Sequence, residues 1–384
     1  MKKEPKVALL IETSNAYARE LLHGIRSYWR EHRSWTVYLP EHARGQAPPG
    51  WLKNWKGDGI IARIENKRIA EAVLKTKLPA VDVSAARLAT GLPWVETDDD
   101  AIARQAAEHF LERGFRHFGY YSDESFNWSK WRCDSFVKYL AAAGHDCAVF
   151  TRGVSVASDW EQQNRELSDW MAQLPKPAGI LASYDNCALQ LLETCRHLKV
   201  AVPDEVAVLG VNNDELLCDL ADPPLSSVVP NARRAGYEAA VLLDRMMNGK
   251  TVPPEAHLFE PLGVATRQST DVLALTDSHI SSAVRFIREH ACKGIQIQDV
   301  LKQVPLSRRI FEKRFLKAIG RSAHDQIQSV KIGRVKALLT ETDLPLTQIA
   351  ERSGFIHVEY MSAAFKKIVG IPPRDYREKN SGPR

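Results

Sequence analysis

The chain has 384 residues, 44% of them apolar and 26% charged, an ordinary balance for a soluble globular protein and too long for one hydrophobic core to organise. Two lysines precede a short apolar run at 7–11, but no small-residue cleavage site follows, and no stretch approaches the roughly 18 apolar residues of a membrane span. A signal peptide and a membrane protein are set aside, and a cytoplasmic location is expected. Charge is divided unevenly: residues 279–384 hold 20 lysines and arginines against 10 acids, a net of +10, and the remainder nets −5. A basic segment joined to an acidic body points to the segment as the part that meets a polyanion.

The first 271 residues alternate β-rich and helical runs. VALLIE (7–12), WTVYLP (35–40), GIIARI (59–64), PAVDVS (79–84), HFGYYS (117–122), AGILAS (178–183) and VAVLGV (206–211) read as strands. Amphipathic helices lie between them, for example YARELLHGIRSYWREH and DAIARQAAEHFLERG. Such alternation implies parallel sheets covered by helices on both faces, and grouping the elements before and after Thr97 gives two lobes with a cleft between. Sheets of this kind bind ligands beyond the carboxyl ends of their strands. The loops to watch are therefore TSNAY, DESFNWSKW, YDN and NND. The last of these contains Asn212, and DESFNWSKW gathers Phe126, Trp128 and Trp131 just ahead of Arg132.

Asp98, Asp99 and Asp100 invite a metal reading, but the run precedes a helix, where carboxylates satisfy free amides and the helix dipole. Capping is the favoured role, with Asp98 also placed to face the cleft. Cys133, Cys147, Cys187, Cys195, Cys218 and Cys292 form no CxxC pair and read as free thiols. No metal and no cofactor are expected.

RQSTD (267–271) closes the body, 272–278 serves as a linker, and 279–384 is almost purely helical. PLSRRIFEKRFLKAIG (305–320) and EYMSAAFKKIVGIPP (359–373) share a layout, with Phe315 standing to Gly320 as Phe365 stands to Gly370. Each is preceded by a short helix and a turn. Two helix-turn-helix units joined by one helix of about 18 residues, roughly 27 Å long, account for the pattern. That length approaches the spacing of successive major grooves on one face of duplex DNA. In the first unit Ile310, Phe311 and Phe315 turn inward, Ser307 caps the helix, and Arg308, Arg309, Glu312 and Lys313 turn outward. In the second, Met361 and Phe365 are inward and His357, Val358, Glu359, Ser362 and Lys366 are left for the groove or its walls. A plain helical bundle requires neither the repeat, nor the paired glycines, nor the charge.

LPLTQIAERSGFIHVEYMSAAFKKIVGIPPRDYR (344–377) resembles the signature of AraC-type transcription regulators in its IA, GF, F-K and G-x-P-x-x-YR positions. The body resembles the LacI/GalR sensor domain, itself related to periplasmic sugar-binding proteins, through NAYARELLHGI, TDDDAIARQAAEHFLERG, SYDNCA and DPPLSSV. The resemblance implies a two-lobed sugar sensor followed by a reader of double-stranded DNA. It also implies a homodimer, a part in activating genes for catabolism of xylose or another monosaccharide, and contact with RNA polymerase. For the sugar it implies Tyr17, Arg132, Asp185 and Asn212, types suited to a hydroxyl-rich ligand, with Trp128 as an aromatic wall.

The chain departs from the family at three places. Asn212 stands where such sensors commonly carry aspartate, Met361 where phenylalanine is usual, and Pro305 where the first turn often has glycine. Proline cannot adopt positive φ, so that turn must be built differently. Two other classes compete with a regulator: a sugar-modifying enzyme, for which no glycine-rich phosphate loop, GxSxG or HExxH is found, and a transport-type sugar-binding protein.

Overall fold

The computed structural model describes residues 4–32, 35–41, 43–44, 46–152, 160–272, 277–342 and 344–380. The chain divides into two compact units, Met1–Thr270 and Asp271–Arg384. Most of the linker expected at 272–278 lies outside the described residues.

The first unit begins with β1 (Lys6–Leu10), α1 (Ala16–Glu31), β2 (Thr36–Tyr38), β3 (Gly59–Ala62), α2 (Lys67–Lys75), β4 (Ala80–Asp82) and β5 (Trp94–Thr97). It continues through α3 (Asp99–Glu112), β6 (His117–Asp123), α4 (Asn127–Ala142), β7 (Cys147–Arg152), α5 (Trp160–Gln173), β8 (Ala178–Ala182), α6 (Asp185–Leu198), β9 (Val206–Val211), α7 (Glu215–Leu220) and β10 (Ser226–Val229). It closes with α8 (Ala232–Met247), β11 (Ala256–Phe259) and β12 (Gly263–Ala265).

These strands form two sheets. The first has the order β11-β5-β4-β3-β1-β2 and is parallel throughout; the second has the order β12-β10-β9-β8-β6-β7 and is parallel except for β12. The chain leaves the first sheet after β5, returns to it after β10 through α8 and crosses again between β11 and β12. Three connections therefore join the lobes at one place, where the amide of Asp98 donates to the carbonyl of Phe259 (2.9 Å) and that of Leu262 to Val229 (2.8 Å).

The strands read from sequence are present, five of them one to three residues shorter. Five others had no such signal. β7 is a half-exposed edge strand, β11 is short and alternates exposed with half-buried residues, β12 is short and half-buried, and β5 and β10 carry acid or serine within only four residues. The central strands are easier to read because they are buried on both faces and run continuously apolar. A second difference concerns DESFNWSKW. Asn127 already begins α4, so Trp128, Trp131 and Arg132 sit on a helix rather than a loop; the N-cap Phe126 offers no side-chain acceptor to signal the start.

α1 and α8 pack side by side on the first sheet around Leu21, Ile25, Ala239 and Leu243. A Cβ on Gly24 would lie 1.9 Å from the carbonyl oxygen of Arg233, and one on Gly236 2.0 Å from that of Leu21. Backbone meets backbone there, so no side chain larger than hydrogen fits at either position.

The second unit comprises α9 (Ser278–His290), α10 (Ile297–Leu301), α11 (Arg308–Ile319), α12 (Ala323–Glu341), α13 (Leu346–Arg352), α14 (Val358–Val369) and α15 (Pro373–Asn380). α10 with α11 and α13 with α14 are the two helix-turn-helix units. α12 joins them and contributes its first half to one core, with Phe311, Phe315 and Ile327, and its second half to another, with Val335, Leu339, Met361 and Phe365. The 19 residues of α12 span about 28 Å at about 1.5 Å per residue.

Candidate functional site

In the first unit the carboxyl ends of both sheets face a cavity of about 70 Å³ between the lobes. Its walls include Asn15, Tyr17, Arg44 and Arg63 from the first lobe and Asp99, Trp128, Arg132, Tyr184, Asn186 and Asn212 from the second. The loop after β1 is fixed by its own side chains: Asn15 caps α1 by accepting from the amide of Ala18 (2.9 Å), and its amide group donates to Glu12 Oε1 (2.6 Å). Glu12 in turn takes a hydrogen bond from Arg63, whose other nitrogen reaches Glu65 at 2.8 Å. Arg63 lies 5.4 Å from the centre of the Tyr17 ring. Burial pushes the Tyr17 hydroxyl above its usual range, against the pull of Arg63, so it stays a neutral donor.

On the opposite wall Arg132 donates from Nε (3.0 Å) and Nη2 (2.6 Å) to one oxygen of Asp99 and from Nη1 to the carbonyl of Ser183. The other oxygen, Asp99 Oδ2, is buried with no partner among the described residues. Burial raises the Asp99 carboxyl, and Arg132 opposes that rise. Trp128 stacks on Phe126 (5.0 Å, 17°) and meets Tyr184 at an angle (5.9 Å, 78°), with Arg132 5.0 Å from its ring. Asn212 closes the wall from the end of β9 with φ of 108°, a backbone state non-glycine residues seldom adopt.

Of the residues expected at a sugar site, Tyr17, Trp128, Arg132 and Asn212 line this cavity and two do not. Asp98 is the N-cap of α3, accepting from the amides of Asp100 (2.9 Å) and Ala101 (3.4 Å). Its neighbour Asp99 takes the cavity position because one residue along a helix start turns the side chain by about 100°. Asp185 lies behind the wall: Ser227 Oγ donates to it at 2.6 Å and the amide of Asp214 at 2.8 Å, so it ties α6 to the loop after β9. Burial pushes its carboxyl up to about 7.

Asn15, Arg44, Arg63, Asp99, Tyr184 and Asn186 were not expected in the cavity from sequence. Arg63 did carry a signal, a charge directly after a buried apolar strand. Asp99 was hidden because capping accounted for the whole acidic run.

In the second unit Phe311, Phe315, Met361 and Phe365 are fully buried, while Ser307, Arg308, Arg309, Glu312, Lys313, His357, Glu359 and Lys366 are exposed on the two second helices. Three details differ from expectation. Ile310 is 46% exposed rather than inward, because Phe311 and Phe315 already define the buried stripe. Ser307 occupies the N-cap position without accepting a side-chain hydrogen bond. Val358 is half-buried against the second core, and Ser362 is also only partly exposed.

The turns are built differently too. Gly354 has φ of 74° and fits against the carbonyl of Cys292, whereas the turn containing Pro305 uses no positive-φ residue. Lys331 of α12 is buried, donates to the Gly354 carbonyl (2.8 Å) and lies 5.2 Å from the Phe355 ring.

A polar, aromatic-walled cleft in a two-lobed sensor, carried with paired helix-turn-helix units, defines a ligand-responsive transcription regulator rather than an enzyme. Three family models match in order: XylR N-terminal domain at residues 6–99, periplasmic binding protein-like domain at 107–270 and helix-turn-helix domain at 300–379. The Xylose operon regulatory protein of Escherichia coli K12 is 32% identical over 387 residues, covering 99% of this chain and 98% of the relative. Its namesake in Haemophilus influenzae is 32% identical over 97% and 98%. The solved structure of the xylose-binding transcription activator xylR superposes with a TM-score of 0.72 at 32% identity, covering 99% of this chain and all of that one. The chain belongs to the xylose operon regulator family, and it is a sugar-responsive, DNA-binding regulator of transcription.

Proposed function

We propose that the effector is D-xylose or a closely related neutral monosaccharide, that it binds in the cleft, and that the regulator acts as a cytoplasmic homodimer that activates sugar-catabolism genes, in contact with RNA polymerase. The observation that carries this reading is the composition of the cavity. Guanidinium groups on both walls, an unpartnered carboxylate oxygen, a neutral phenol and the amides of Asn15, Asn186 and Asn212 offer donors and acceptors to ring hydroxyls. Tyr17 and Trp128 offer faces to the C–H side of a sugar ring. The three arginines of the cavity wall are each committed to a carboxylate, Arg44 and Arg63 to Glu65 and Arg132 to Asp99. A neutral ligand suits that balance better than a sugar phosphate.

Asn15, Tyr17, Arg63, Asp99, Trp128, Arg132 and Asn212 are the proposed ligand contacts, and Asp185 positions the wall. Ser307, Arg308, Arg309, Glu312 and Lys313 are proposed to meet one major groove, and His357, Glu359, Ser362 and Lys366 the next. Sugar shifts the sensor toward closure only to the extent that it binds the closed form more tightly.

Calorimetric titration of the full chain with D-xylose, L-arabinose, D-ribose, D-glucose and xylose 5-phosphate tests the ligand. Saturable binding of D-xylose that Asp99→Asn weakens is expected; binding of the phosphate alone would overturn the reading. Selection of duplexes from a random pool tests the reader, with paired half-sites about one helical turn apart expected.

A further inference from the structure

The mouth of the cleft carries two arginines that reach from one lobe into the other. Arg44, in the first lobe, is held there by Glu65, with Nε and Nη2 each 3.1 Å from a carboxylate oxygen. Its guanidinium lies 4.0 Å from the centre of the Phe126 ring, 5.4 Å from Trp128 and 5.8 Å from Tyr184, all in the second lobe. Arg87, between β4 and β5, is held by Glu96 of its own lobe, with Nε 2.9 Å from the carboxylate, and lies 4.4 Å from the ring of Trp131 on α4. Beside it Asn127 donates to the carbonyl of Ala86 (3.4 Å). Arg87 keeps φ at 52°, a costly state for a residue with a side chain, and such states persist where surrounding contacts over-determine them.

We infer that Arg44 and Arg87 form a twin cation–π clasp: each is anchored by a glutamate of the first lobe, grips the aromatic start of α4, and sets how much of the sensor is closed whether or not ligand is bound. The geometry explains why Phe126, Trp128 and Trp131 are gathered on so short a stretch. Only Trp128 of the three lines the cavity, so the other two are free to serve the mouth. Parting the lobes pulls both guanidinium groups off their rings but leaves both ion pairs intact, because each pair lies within one lobe. Opening therefore acts on the cation–π attraction, and each ring-bound arginine is worth roughly a 2- to 5-fold preference for closure when exposed and about 30-fold when desolvated. Arg44 and Arg87 are positioning residues in this role, and Arg87 has no place in the cavity wall.

The clasp does not rest on the identity of the sugar, and its test uses none. Hydrogen exchange of the full chain without added sugar is followed in segments 83–92 and 124–132. Arg87→Gln is expected to speed exchange at 124–132, across the cleft, by about 3-fold, and Trp131→Leu to do the same at 83–92. The double variant is expected to exchange no faster than either single one, and Arg87→Lys and Trp131→Phe, which keep a cation and a ring, to restore much of the protection. Melting curves check that each variant folds. Exchange that rises only beside the substituted residue, or effects of the two variants that multiply independently, would overturn the clasp.

Discussion

Arg132 and Asp99 form an ion pair sealed inside the sensor, with two guanidinium nitrogens on one carboxylate oxygen at 2.6 and 3.0 Å. Both residues come from the second lobe, on α4 and α3, so the pair holds as the cleft opens and closes. It leaves Asp99 Oδ2 without a partner among the described residues, on a residue that lines the cavity. Removing either partner strands the other charge in a buried setting, which typically costs about 3–5 kcal/mol. Urea denaturation of Asp99→Ala and of Arg132→Ala is expected to show losses of about that size, and the double variant a loss well below their sum. Equal and additive losses would mean the two groups do not act as a pair.

Asp82, at the end of β4, is buried and accepts from the amides of Ser84 (2.8 Å) and Ile64 (3.2 Å) through one oxygen, Oδ1. Burial pushes its carboxyl up to about 7 from 3.8, so the folded chain holds a proton there that the unfolded chain has released. The stabilisation is complete below about pH 4 and is lost as pH rises to about 7, at up to about 1.4 kcal/mol per pH unit. Asp82→Asn keeps the accepting oxygen and removes the titration. Its melting temperature relative to the parent chain is expected to climb between pH 5 and pH 8; a constant difference would refute the assignment.

His109 has the opposite sign. It is buried, meets Thr270 Oγ1 at 2.8 Å, and burial lowers its ring to about 3. The unfolded chain takes up a proton near pH 6.5 that the folded chain refuses, so this contribution is present above about pH 6.5 and fades as pH falls toward 3. His109→Gln is expected to lessen the acid sensitivity of melting between pH 6.5 and pH 4.5, measured against the parent chain.

Gly320, Gly354 and Gly370 share positive φ, yet only Gly354 is crowded: a Cβ there would lie 2.7 Å from the carbonyl of Cys292, and none of the described atoms lies within 4 Å at the other two. Gly320→Ala and Gly370→Ala are expected to cost about 1–2 kcal/mol each for the left-handed backbone alone. Gly354→Ala should cost more, and should weaken DNA binding as well as stability. Chemical denaturation and a duplex-binding assay on the three variants give the comparison.

Lys366 is exposed on α14, one turn beyond the buried Met361 and beside Phe365. If it meets a phosphate, Lys366→Ala weakens binding about equally across duplex sequences and lowers the slope of log affinity against log salt by about 1. Phe365→Ala, which empties a core position at a cost of about 3–5 kcal/mol, should instead abolish binding with loss of the fold of its unit.

The repeated helix-turn-helix layout was legible because it rests on local rules. Two large apolar residues four apart, and a glycine five residues on, fix the buried stripe and the end of each helix whatever surrounds them. The central strands were legible for the same reason. The cleft was read only in part, since which of Asp98 and Asp99 turns into it depends on where α3 starts, and whether Asp185 faces ligand or backbone depends on Ser227 of β10, far along the chain. Arg44 and Arg87 sit in loops that local pattern cannot place. Their roles follow only from the aromatic helix start that the other lobe brings to them.

The glycine contacts between α1 and α8 carry a mechanical consequence. At Gly24 and Gly236 backbone rests on backbone with no side chain between, so the two helices are seated like a keyed joint on the first sheet. A methyl group at Gly24 or Gly236 has nowhere to go but into the opposing backbone, so either alanine variant must wedge the pair apart and carry Tyr17, at the start of α1, away from its place in the cleft.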